Sequence, residues 1–294
     1  MPELPEVETV VRDLRLKIIG RRILDVWTDW PKYFKPHYSL ATFKKHVLRK
    51  KIEGVERRGK NILIHLSDKH LLLIHLKMTG HPLVGKWQIA NRKWIPVSKS
   101  KLMADPKNGF IRLILFLDGP KNSNMLALSD LRRFAKVLCG PKEEIFNLPD
   151  LKGLGPEALV INFREFSDRF EGKRGKIKQV LMDQSFVVGI GNIYSDEVLY
   201  KAKIHPASRV EKLKEKHLKA IFKAMREILN KGIKFRGTSS DDFRDTAGKK
   251  GEYGKVILVY QKTGQKCPKK HIIQRMKIGG RSAHFCSKCQ ELIS

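Results

Sequence analysis

The hydrophobic pattern of this 294-residue chain changes period near residue 150, and that change limits the folds open to it. Before it, short apolar runs at residues 23–28, 62–67, 71–78, 111–117 and 125–129 are separated by basic, glycine-bearing turns, as strands joined by tight connections are. They predict an antiparallel sandwich or barrel reaching to about residue 145. One helix precedes them. Val7, Val10, Val11, Leu14 and Ile18 recur at helical spacing, Glu6 and Glu8 sit near its start, and Gly20 follows its end. After Gly153-Leu154-Gly155-Pro156-Glu157 the pattern becomes helical. Leu218, Ile221, Phe222, Met225 and Leu229 form one amphipathic stripe with lysines opposite and Gly232 as its stop. Residues 83–108, basic and without a clean period although they hold Trp87 and Trp94, read as a long surface connection. Residues 237–255, polar and rich in glycine, read as a mobile loop, and two short strands are expected to frame the last cysteines.

Sixty Lys+Arg against thirty Asp+Glu give a formal charge of +30 and a pI near 10.1, spread along the chain. Such an excess points to a polyanion, nucleic acid first, because each phosphate contact made by Lys or Arg releases counterions. A membrane surface is the lesser alternative. The longest apolar runs, such as residues 71–76, fall far short of the ~20 residues that span a bilayer, and no secretory signal pattern is present. The expected location is cytoplasmic or nucleoid-associated. A hydrophobic content of 41% suffices for two domains with cores.

The start, Met1-Pro2-Glu3-Leu4-Pro5-Glu6, admits two readings. Proline in the first turn of a helix is ordinary capping. Alternatively, trimming of the initiator methionine leaves a secondary amine, which attacks carbonyl carbons to give iminium ions, with Glu3 beside it to move protons. Lys60, ahead of the run at 61–67, is by composition a solvated surface lysine. Of the cysteines, Cys139 reads as a buried strand residue, while Cys267, Cys286 and Cys289 cluster near the end; four cysteines so spaced are not a disulfide framework.

Six separated stretches resemble the formamidopyrimidine-DNA glycosylase family, over the whole chain and in order. They are residues 1–10, Arg58-Gly59-Lys60, His75-Leu76-Lys77-Met78-Thr79-Gly80, Asp130-Leu131-Arg132-Arg133-Phe134, residues 187–194 ending Gly189-Ile190-Gly191-Asn192-Ile193-Tyr194, and Gly279-Gly280-Arg281-Ser282-Ala283-His284-Phe285-Cys286. The resemblance implies an α+β fold: an N-terminal helix with an antiparallel β-sandwich domain (1–145), a helical helix-two-turns-helix domain with a lesion-capping loop (146–255), and a zinc-ribbon β-hairpin (256–294). It implies a monomeric enzyme of base excision repair acting on double-stranded DNA with oxidised purines. Pro2, Glu3, Lys60 and Arg281 are then catalytic. Met78, Arg132 and Phe134 fill the gap left by an everted base, and Lys173 and Asn192 contact phosphates, the glycines at 189 and 191 letting the backbone approach.

Two departures stand out. The family's ribbon has two Cys-x2-Cys pairs, but here the first half reads Cys267-Pro268-Lys269-Lys270-His271. Cys267, His271, Cys286 and Cys289 form a Cys3His set suited to one structural Zn2+, with a metal-free ribbon held by packing as the alternative. A histidine-bearing run ahead of Ile111 is replaced by Lys107-Asn108-Gly109-Phe110, leaving Asn108 as a candidate DNA contact. The rival readings are an endonuclease VIII-like enzyme for oxidised pyrimidines, a DNA-binding scaffold without catalysis, and an RNA- or ribosome-associated basic protein. Leu4 and the full-length loop at 237–255 favour purines; the presence of Pro2, Glu3 and Lys60 favours catalysis.

Overall fold

The computed structural model describes the whole chain except residues 35–37, 98–100 and 240–241. The chain forms two compact units. One holds Met1–Pro2, Glu6–Lys152 and Arg236–Glu252; the other holds Glu3–Pro5, Gly153–Phe235 and Tyr253–Ser294.

In chain order the first unit contains most of α1 (Leu4–Ile18), then β1 (Ile23–Thr28), α2 (Leu40–Val47), β2 (Ile52–Arg58), β3 (Asn61–Leu66), β4 (His70–His75), β5 (His81–Gly85), β6 (Trp87–Ala90), β7 (Lys93–Pro96), β8 (Ile111–Leu117), β9 (Met125–Ser129), β10 (Lys136–Pro141), α3 (Lys142–Asn147) and α4 (Pro149–Lys152). Two four-stranded antiparallel sheets, ordered β1-β8-β9-β5 and β10-β4-β3-β2, enclose one core. Period-two alternation decides who enters it. Leu113, Leu115 and Leu117 of β8 meet Ile62, Ile64 and Leu66 of β3 there. The helical stripe Val7, Val10, Val11, Leu14 and Ile18 is fully buried in the same core, as its spacing predicts, and Cys139 of β10 lies there too, where burial pushes its thiol up.

The sequence-based boundaries shift in two places. The strand-rich unit runs on to Lys152, because α3 packs back on β10 and β4 and α4 on α3. Arg236–Glu252 belongs to this unit as well. Phe243 is buried in its core, Arg236 bridges Asp13 and Asp245, Thr246 accepts from Lys17 (2.6 Å), and Arg244 reaches Asp105 (2.5 Å). Asp245 accepts from the N–H groups of Ala247 and Lys249, both at 2.9 Å. A stretch expected to be mobile from its polarity is thus held by charge pairs whose partners lie far off in sequence; of that expectation, residues 240–241 fall outside the described residues.

Residues 83–108 also depart from the expected open connection; 98–100 again lie outside the described residues. They contain the end of β5, the β6–β7 hairpin and single 3-10 turns at Lys101–Ala104 and Pro106–Gly109. Trp87 is 2% exposed, packed with Leu83, Leu102, Ile114 and Met125. This second core lies on the other face of the β1-β8-β9-β5 sheet, since Ile114 alternates with Leu113 and Leu115 of the first. Strands of four residues are too short to leave a legible period.

The second unit contains α5 (Phe163–Asp168), α6 (Ile177–Met182), α7 (Asn192–Lys201), α8 (Glu215–Lys234) and the hairpin β11 (Gln274–Ile278) with β12 (Arg281–Phe285). Its core gathers Leu4, Phe166, Phe186, Tyr194 and the buried stripe of α8. Gly232 does not stop α8, which continues to Lys234. A Cβ at this position would lie 2.8 Å from Pro5 and from the Tyr194 ring, so close packing explains the glycine. Helix propensity alone makes Gly232→Ala stabilising by about 1 kcal/mol; the contact reverses the sign, and urea denaturation is expected to show a loss of about 1–3 kcal/mol.

Candidate active site and metal centre

The first residues are not a frayed end. Pro2 is buried and Glu3 is 2% exposed. The Glu3 carboxylate accepts from the main-chain N–H groups of Gly191 (2.6 Å), Ile193 (2.8 Å) and Tyr194 (3.3 Å), at the start of α7. The Leu4 N–H donates to Gly189 O at 2.9 Å. Both glycines are required by this docking. Gly189 has φ +104 and a Cβ there would lie 2.6 Å from Leu4, while one at Gly191 would lie 2.6 Å from the Glu3 carboxylate. The Cβ direction at both glycines is taken by the chain's own beginning. Asn192, the next residue, is half-buried, and its side-chain oxygen has no hydrogen-bond partner among the described residues.

Sequence reasoning missed the polar chain beneath this start. Lys178 of α6 is fully buried and donates to Asp196 (2.6 Å), Ser195 Oγ (3.0 Å) and the main-chain oxygen of Asn192 (3.3 Å). Burial lowers its pKa, against the pull of Asp196. The other Asp196 oxygen accepts from the main-chain N–H of His284 and lies 2.9 Å from its Nδ1, fixing β12 against α7. Its neighbour Glu197 accepts from the N–H groups of Leu258, Val259 and Tyr260 at 2.8–3.0 Å, although burial pushes its pKa up. Lys178 was invisible among so many lysines; no local pattern marks a buried one. Arg281 opens β12 after a two-glycine turn in which Gly279 and Gly280 both have positive φ, and its side chain is exposed, as is that of Lys173.

At the ribbon, the ligand atoms of Cys267, His271, Cys286 and Cys289 all lie within 4.8 Å of one another. Cys267 and Cys289 sulfurs are 3.8 Å apart, and His271 Nδ1 is 3.2 Å from Cys289 Sγ. A tetrahedral ion with bonds of about 2.3 Å to sulfur separates two sulfurs by roughly 3.8 Å, so the donors fit. Burial pushes the Cys267 thiol up, but donors from Tyr200, His271 and Lys269 outweigh it and bring it to about 7. Burial and the neighbouring thiols of Cys286 and Cys267 push Cys289 up to about 11. A divalent cation removes that mutual repulsion.

In the first unit Lys60 stands in the two-residue turn between β2 and β3, beside Gly59 with φ +58, and is 6% exposed instead of solvated. Arg57 ties the turn to α1, donating to Gly59 O and Glu8, both at 3.0 Å. His75 pairs with Asn61 across the ladder; burial, with the charges of Lys77 and Lys60, pushes it down to about 3, so it stays neutral near pH 7.

Met78, Arg132 and Phe134 sit on two loops that one buried carboxylate joins. Asp130 accepts from Tyr33 OH (3.0 Å), Ala135 N–H (2.9 Å) and the Thr79 hydroxyl, whose oxygen in turn accepts from Arg132 N–H (3.0 Å). Met78 and Phe134, which resemble core residues in sequence, are 38% and 57% exposed. Asn108 corrects the other way. It is fully buried, its amide donating to Leu102 O (3.1 Å) and Gly248 O (3.2 Å) with His81 on its oxygen, so its side chain serves the fold and does not face DNA. Asp130→Ala leaves three buried donors without an acceptor, and urea denaturation is expected to show a loss on the order of 2–4 kcal/mol; a loss within experimental scatter would remove Asp130 as the joint of these loops.

Residues 1–137 match the family model of the formamidopyrimidine-DNA glycosylase N-terminal domain, and residues 154–244 match the model of its H2TH domain. The formamidopyrimidine-DNA glycosylase of Desulforamulus reducens is 37% identical over 297 residues, covering 99% of each chain, and that of Lactococcus lactis subsp. lactis is 33% identical over 294 residues, covering 99% of this chain and 100% of the relative. Among solved structures, the Lactococcus lactis Fpg in complex with abasic-site DNA superposes with a TM-score of 0.84 at 30% identity, over 98% of this chain and 99% of that one. The MutM (Fpg) protein of Thermus thermophilus gives 0.81 at 28% identity, over 98% of both chains. The chain belongs to the formamidopyrimidine-DNA glycosylase family. Among the described residues no helix is long and apolar enough to cross a membrane.

Proposed function

We propose that this protein is a bifunctional DNA glycosylase and abasic-site lyase that removes oxidised purines from duplex DNA. The observation that carries the reading is the immobilised start of the chain: chain ends ordinarily fray, yet here Pro2 is buried and Glu3 and Leu4 are fixed by three side-chain and one main-chain hydrogen bonds. A terminus held this way suits a nucleophile that must meet a sugar carbon in one geometry.

With Met1 removed, the Pro2 nitrogen is a secondary amine. It attacks C1′ of the damaged nucleotide, the C1′–base bond breaks, and the base leaves with a proton. Opening of the sugar ring, with a proton delivered to its oxygen by Glu3, gives an iminium ion. That ion draws electrons from C2′, a C2′ proton is lost, and the 3′ phosphate leaves; a second elimination releases the 5′ phosphate. Lys60 holds a phosphate and moves protons in these eliminations, and Arg281, Asn192 and Lys173 hold the backbone. Met78, Arg132 and Phe134 take the place of the extruded base, an exchange that offsets an unstacking cost of a few kcal/mol. The stretch at 237–255 covers the everted base, and the purine preference follows the branch of the family that Leu4 marks.

The test is borohydride trapping on a duplex with 8-oxoguanine opposite cytosine. The native protein is expected to give a covalent complex and Pro2→Gly at most a trace. Trapping only on oxidised pyrimidines would overturn the substrate, and trapping on no duplex, abasic sites included, would overturn the chemistry.

The ribbon cluster holds one Zn2+ in this reading, which fixes the hairpin that carries Arg281. Metal analysis of the purified protein is expected to give one zinc per chain. Cys286→Ser should lose it, while His271→Cys, which supplies a fourth thiolate, should keep it. An unchanged zinc content in His271→Ala would remove histidine from the ligand set.

A further inference from the structure

We propose that the β6–β7 hairpin is a second duplex-DNA contact, a preorganised basic finger that lengthens the binding surface beyond the residues filling the emptied base position; this rests on the glycosylase reading above. Between Gly85 and Asp105 the sequence holds Lys86, Arg92, Lys93, Lys99 and Lys101 and no acidic residue. Elsewhere in the same unit Lys107, Arg112, Lys136, Arg236 and Arg244 are ion-paired. Neither Arg92 nor Lys93 has an ion-pair partner among the described residues.

The hairpin is fastened on one face and open on the other. Trp87 stands opposite Pro96 and Ile89 opposite Trp94 in the ladder, so these four share a face. Trp87 and Pro96 are buried, and Trp94 meets Trp27 edge-on at 5.5 Å and Phe116 at 5.9 Å. Gln88 and Ile95 of the opposite face are exposed, as are Ile89, Arg92 and Lys93 towards the tip. At the tip Asn91 and Arg92 both have positive φ, 50 and 61, the conformation of a tight two-residue turn whose second place usually goes to glycine. An arginine occupies it instead. A charged tip on an anchored ribbon has little backbone freedom left to lose when it binds, so ordering there is confined to the side chains.

The finger adjoins the proposed DNA surface at its foot. β7 lies beside the turn Pro106–Gly109, whose Lys107 oxygen accepts from Ser129 at the end of β9, one residue before Asp130 and the loop bearing Arg132 and Phe134. The partner that suits an unbalanced cationic tip on this surface is the phosphate backbone of the same duplex. A protein partner reached through Ile89 and Ile95 is the competing occupant.

The experiment compares native full-length protein with Arg92→Glu/Lys93→Glu and the neutral Arg92→Gln/Lys93→Gln. Binding is measured across salt concentrations on duplexes of about 12 and about 30 base pairs that carry an uncleavable abasic-site analogue. On the long duplex the charge reversal is expected to weaken binding about tenfold or more near 0.1 M salt and to lower the salt slope by about 1–2, with the neutral pair between. Binding to the short duplex, and the trapping yield at saturating protein, should stay within about twofold. Equal binding of all three proteins to the long duplex would overturn the proposal, leaving a solvated or protein-facing tip. Equal losses on both lengths would also overturn it. Native protein that binds no duplex sinks the glycosylase reading together with this one, whereas native binding with indifferent variants sinks this one alone.

Discussion

The Glu3 carboxylate, received by three N–H groups at the start of α7, is the interaction on which the rest of the candidate site depends. A helix N-terminus presents main-chain donors with no partner inside the helix, and here an acidic residue from the beginning of the chain takes them. The bond is short-range and directional, so it fixes the peptide around Glu3 to within the tolerance of a hydrogen bond. It also explains two glycines, Gly189 and Gly191, at which any side chain would collide with Leu4 or Glu3.

The same helix distributes order to the ribbon. Residues 193–199 of α7 are all buried, and two consecutive acidic ones face different structures: Asp196 joins Lys178 to His284 of β12, and Glu197 collects the N–H groups of residues 258–260. Buried charges are costly unless they are paired and hydrogen-bonded; both oxygens of each of these carboxylates accept. Removing one member would leave the others buried without compensation, which makes the arrangement all-or-none. A helix buried on every side has no polar face to show in sequence, and α7 accordingly lacks the amphipathic stripe that announces α8.

In the sandwich unit Asp130 has the corresponding part. Its carboxylate and the Thr79 hydroxyl gather the loops bearing Met78, Arg132 and Phe134 into one unit, leaving two large apolar side chains in solvent. Exposed Met and Phe on loops held this firmly are better explained by a partner than by folding.

The sequence by itself determined the sheet-then-helix order, the extents of β1, β8 and β9, the α1 stripe and the clustering of the last cysteines, because each is written in local periodicity or spacing, whereas Pro2, Glu3, Lys60 and His271 stand out only through the family resemblance. Only the tertiary structure decided which polar residues are buried. Asn108, Asp130, Lys178, Asp196 and Glu197 carry no local mark, since their partners lie roughly a turn of helix to more than a hundred residues away. It decided equally that the stretch after α8 is held by Asp13, Asp105 and the sandwich core, and that Gly232 answers to Pro5 and Tyr194 and not to a helix end. Local sequence sets which conformations a segment favours; the desolvation of a charge and the room for a methyl group depend on what the rest of the chain brings alongside.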